Sequence, residues 1–131
     1  MSDDIIERFE EGINKFNECK FYECHDILED VWFEIRGSSR RFYQGLIHLA
    51  VGFYHLTHRK NLNGTLSQLN KGINKLSDYS PEFQGVEIKG LLKSVSDCVK
   101  DINEIKEVKE FEIKKIPKIK FDKEKFSHEL R

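Results

Sequence analysis

The chain has 131 residues, with 22 lysines and arginines against 23 aspartates and glutamates, 5 histidines, 3 cysteines and a formal net charge of -1. That length is one domain's worth and can bury a real core, while the near-balance of charge argues against a general attraction to nucleic acid. No apolar run approaches the ~20 residues of a membrane-spanning helix, the N-terminus lacks the pattern of a signal peptide, and Cys19, Cys24 and Cys98 have no CxxC spacing, so a cytoplasmic protein with reduced thiols is expected.

The first helix is expected from about Asp3 to Asn17, with Ile5, Ile6, Phe9, Ile13 and Phe16 as its buried stripe and acidic residues suiting its N-terminal dipole. A break near Glu18 to Lys20 leads to a second helix, about Phe21 to Ile35, whose apolar face is Phe21, Cys24, Leu28, Val31, Trp32 and Ile35. Arg36-Gly37-Ser38-Ser39 reads as a stop and a new start, with serine as the N-cap. The third helix, Ser39 to Arg59, is apolar on most of its circumference and belongs in the middle of a bundle. Gly45 and Gly52 on its side imply close approach by a neighbouring helix, because each costs roughly 1 kcal/mol against alanine in a helix interior.

Lys60 to Gly64 is a turn, and Leu62, Leu66, Leu69, Ile73 and Leu76 mark an amphipathic fourth helix that ends at Tyr79-Ser80-Pro81. A loop reaches Gly85, and a fifth helix runs from about Val86 to Glu104. Beyond Lys106, apolar residues alternate irregularly with charges around Pro117. The reading is all-α: about five helices around a central buried one over residues 1–105, and an extended tail over 106–131 laid on or trailing from them, with a short final helix from Asp122.

One constellation could carry chemistry. His25, Glu29 and Trp32 fall within a wedge of roughly 60° on the second helix, with Arg36 in line to reach back toward Glu29 or Trp32. The third helix offers a polar line of Gln44, His48 and His55. If the two lines face each other, these groups converge in one half-buried place. Imidazoles with a carboxylate suit a divalent metal, with His25, Glu29, His48 and His55 as the candidate ligands, or Glu29 could orient a histidine acting as general base. The structural alternative is a satisfied network of His25, Glu29 and Gln44 that fixes helix register, and it is preferred because no H-E-x-x-H or second Glu-x-x-His motif completes a metal set. Cys24 reads as a core residue and His58 as a helix-terminal cation.

The run Phe21-Tyr22-Glu23-Cys24-His25-Asp26-Ile27-Leu28-Glu29-Asp30-Val31-Trp32 resembles the H-x-x-x-E-x-x-W signature of the domain of unknown function 309 family. Gln44-Gly45-Leu46-Ile47-His48-Leu49-Ala50 is similar to its second block, with Tyr54-His55 near the end. Cys24 stands where that family usually has alanine and Asp26 where glutamate is common. The resemblance implies a compact helical array and points to His25, Glu29, Trp32 and Gln44, without naming a reaction.

Three functions follow. The preferred one is a binding module whose pocket of His25, Glu29, Trp32, Gln44, His48 and His55 receives a small ligand or a protein. A metal-dependent, hydrolase-like enzyme is the alternative. The third is self-association, as a homodimer, through the apolar tail or the fourth helix.

Overall fold

A computed structural model describes residues 2–126, with side chains from Asp4 onward. Five helices carry the fold: α1 (Ser2–Asn17), α2 (Phe21–Glu34), α3 (Arg40–Tyr54), α4 (Leu62–Leu76) and α5 (Ile88–Glu104). The expected stripes are the ones that go inward. Phe9, Ile13 and Phe16 of α1, Phe21, Leu28 and Val31 of α2, and Phe42, Leu46, Leu49 and Phe53 of α3 join a single core. Phenylalanine rings hold α1, α2 and α3 together, with Phe16 5.1 Å from Phe21 and 5.9 Å from Phe53, both edge-on. No helix among the described residues is long and apolar enough to cross a membrane.

The neighbour announced by the glycines of α3 is α4. A Cβ on Gly52 would stand 2.7 Å from Leu69 Cδ2 and 3.2 Å from the Leu69 backbone nitrogen, and one on Gly45 would stand 2.6 Å from Leu76 Cγ. These bare positions let leucines of α4 sit directly against the α3 backbone, where any side chain would separate the helices. Ser39 occupies the N-cap position of α3, but its hydroxyl makes no capping bond and is buried without a partner among the described residues.

Two elements before α5 differ from the sequence reading. The third helix is not α-helical to its end: His55–Arg59 form a π turn closed by Lys60 at φ 52°. Thr57 Oγ1 donates to the Phe53 carbonyl at 2.8 Å, the back-bond by which serine and threonine loosen an α-helix. The expected loop before α5 contains a two-stranded antiparallel hairpin, β1 (Glu82–Phe83) and β2 (Val86–Glu87). Gln84 and Gly85 turn it with φ of 51° and 79°, the left-handed pair of a two-residue hairpin.

The tail lies on the bundle. Phe111, Ile116, Ile119 and Phe126 are buried in the common core, and so are spent inside the fold. Val86 bridges Phe121, flanked by bonds from Glu87 N–H to the Lys120 carbonyl and from Asp122 N–H to the Gly85 carbonyl at 3.1 and 2.8 Å. In place of the final helix from Asp122, the described residues hold only a short 3₁₀ turn, Lys123–Lys125; residues 127–131 lie outside the described part.

Candidate functional site on the α2–α3 seam

α2 and α3 pack side by side, and the half-exposed residues along their seam include all six proposed from sequence. The structure distributes them over two adjoining hollows instead of gathering them in one. The first, about 150 Å³, is lined by Glu29, Trp32, Gln44, Ile47 and His48. The second, about 190 Å³, is lined by Phe21, Tyr22, His25, Val51, Tyr54, His55 and Arg59.

His25 links the two. Its Nε2 lies 3.1 Å from Glu29 Oε2, and its Nδ1 lies 3.3 Å from Asp26 Oδ1. One helical turn separates His25 from Glu29, so the local backbone alone brings them together. The rest of the expected network has other partners. Gln44 Oε1 accepts from Lys75 Nζ at 3.3 Å, and His48 Nδ1 stands 2.7 Å from Gln68 Oε1. Both bonds run to α4, away from α2. Because a carbonyl oxygen only accepts, His48 Nδ1 carries the hydrogen in this pair. Burial holds His48 below the ordinary histidine value, opposed by the Gln68 bond and reinforced by Lys75 and Lys71.

The four residues expected as metal ligands are not gathered in one place. His25 and Glu29 form a pair, His48 is turned to Gln68, and His55 lines the second hollow. Among the described residues no three His, Cys, Asp or Glu side chains gather as a metal-holding group. Arg36 also departs from expectation. It donates to the Phe33 and Ile35 carbonyls, while Arg40 lies over the Trp32 ring with its guanidinium carbon 4.2 Å from the centroid. Trp32 Nε1 is buried without a partner among the described residues, so the indole N–H does not join the His25–Glu29 pair.

The second hollow has a different character, which follows from its parts. Phe21 is fully buried, whereas Tyr22 is 54% exposed. Tyr22 lies 5.6 Å from Tyr54 and 5.9 Å from His25. Tyr54 in turn stacks on His58, with centroids 5.0 Å apart and planes within 15°. His58 is fixed by Thr57 Oγ1 at 2.8 Å. The π turn, a feature frequent where a helix serves function, thus presents His55 and Arg59 beside the start of α2. The Arg59 guanidinium makes no hydrogen bond or ion pair among the described residues, and His55 Nδ1 is buried without a partner among them. Sequence reasoning passed over Tyr22, Tyr54 and Arg59 as site residues. Their common signal was aromatic and cationic residues left on a seam otherwise filled by core side chains.

Cys24, beside His25 in sequence, points into the core, and burial pushes its thiol up to about 12. It is the core residue expected.

Comparison with known proteins bears on the same stretch. The chain is 36% identical over 72 residues to a Bacillus subtilis (strain 168) protein described as Uncharacterized protein YpuF, a match covering 54% of this chain and 39% of that protein. The chain therefore matches well under half the length of this curated relative. Residues 9–67, the stretch from α1 into α4 that holds both hollows of the seam, match the model of the family described as Domain of unknown function (DUF309).

Proposed function

We propose that this chain is a binding module, and that the hollow between the start of α2 and the end of α3 receives a small ring-bearing ligand. The observation that carries the reading is the convergence on that hollow of two tyrosines, two histidines and an arginine beside the buried Phe21 ring. Binding sites are concave and mostly apolar, with a few polar groups aimed at one place. Tyrosine and arginine together offer ring faces, hydrogen bonds and charge. The His25–Glu29 pair serves as the wall between the two hollows, holding the imidazole on the rim.

Amide chemical-shift mapping with a panel of single-ring compounds tests the proposal. Shifts should concentrate at Tyr22, His25, Val51, Tyr54, His55 and Arg59, and a folded Val51→Phe variant, which fills the hollow, should lose them. Shifts scattered over the surface, or unchanged in Val51→Phe, would count against it.

A further inference from the structure

Resting on that reading, we infer that the ligand of the second hollow is a flat, single-ring carboxylate. Size sets the first limit. At about 190 Å³ the hollow falls below the roughly 300–1,000 Å³ of sites for drug-sized ligands, so it holds one ring and its substituent. Shape sets the second, because Tyr22, Tyr54, His25 and His55 bring planar groups to the lining.

Charge sets the third. Arg59 is the permanently charged residue of the lining, and its guanidinium has no ion pair or hydrogen bond among the described residues. No carboxylate lines the hollow. The two nearby on α2, Asp26 and Glu29, lie against His25, at 3.3 Å from its Nδ1 and 3.1 Å from its Nε2. A guanidinium with no partner, above a patch of ring faces, is matched by an anionic group attached to a ring, and its fork fits a carboxylate with two parallel bonds. A cationic ligand would meet like charge at Arg59.

The test titrates the full chain with benzoate, benzamide and benzylamine at neutral pH and follows the amide resonances of the hollow. Benzoate should bind about fivefold more tightly than benzamide, the scale of one exposed charge pair, and the preference should fade in high salt. Arg59→Gln, a change at an exposed position, should abolish the preference and bring benzoate down to the level of benzamide in the same variant. Equal binding of benzoate and benzamide, or a benzoate preference that survives Arg59→Gln, would overturn the carboxylate assignment while leaving a ring-binding hollow. Failure of all three probes to perturb the hollow would overturn the binding reading together with the assignment.

Discussion

Asn17 holds the backbone of Ile119 from both directions. Its Nδ2 donates to the Ile119 carbonyl at 2.9 Å, and the Ile119 N–H donates to its Oδ1 at 2.7 Å, across 102 residues of chain. One side chain at the end of α1 thus imitates the edge of a strand and pins the tail to the bundle. Both bonds are partly buried, so Asn17→Ala leaves a donor and an acceptor of Ile119 short of partners. The expected loss of stability is about 1–3 kcal/mol, measured by urea unfolding. Asn17→Asp should also destabilise, because it sets an oxygen against the Ile119 carbonyl where a donor is needed.

The α3–α4 contact makes a prediction whose sign separates two effects. On an isolated helix, Gly52→Ala would gain roughly 1 kcal/mol from propensity. Here the new methyl would stand 2.7 Å from Leu69 Cδ2 and 3.2 Å from the Leu69 backbone nitrogen. A side-chain end can move, but the backbone contact requires the helices to separate. Overpacking of this kind costs about 1–3 kcal/mol, so the variant should be less stable than the parent in thermal or denaturant unfolding. A gain in stability would mean that the two helices are not this close.

His48 makes stability depend on pH. Its pKa in the folded chain lies below the unfolded value because burial disfavours the imidazolium. Above the unfolded value both states hold a neutral ring, and the full stability is present. As pH falls below that value the unfolded chain takes up the proton first, and stability is lost down through the folded pKa. His48→Gln should therefore flatten the decline of stability below about pH 6.5, read from denaturant midpoints at several pH values. Relative to the parent, the variant should fare better at pH 5 than at pH 8.

Thiol reactivity checks the placement of the cysteines. Cys19 is exposed at the α1–α2 turn. Burial pushes Cys24 up to about 12, and burial together with Asp101 and Asp97 pushes Cys98 up to about 11. Since the thiolate is the reactive form, a maleimide or iodoacetamide at pH 8 should label Cys19 in the native protein well before the other two. Mass spectrometry of the digested, labelled chain gives the order.

The helices were legible in the sequence because each carries a stripe at helical spacing, and the pair of glycines in α3 foretold a close neighbouring helix without saying which. The His25–Glu29 pair was legible for the same reason, being one turn apart on one helix. Gln44 and His48 share a hollow with Glu29 and Trp32 of α2, as facing polar lines would, but they do not bond to them. Their partners, Lys75 and Gln68, lie on α4, and periodicity within one element says nothing of which neighbouring element a polar flank meets. The π turn was hidden because His55–Arg59 continues the composition of the helix before it, and only the hydrogen-bond pattern distinguishes the two. The hairpin of β1 and β2 has strands of two residues each, too short to show an alternation. Tyr22 and Arg59 escaped notice because the groups lining the second hollow come from two helices and a turn.

A crystal structure of the full chain soaked with benzoate tests the central claim most directly. The ring is expected in the hollow beside Phe21, against the Tyr22 and Tyr54 rings, with its carboxylate on the Arg59 guanidinium. A hollow filled by the protein's own side chains, or benzoate bound only elsewhere on the surface, would contradict it.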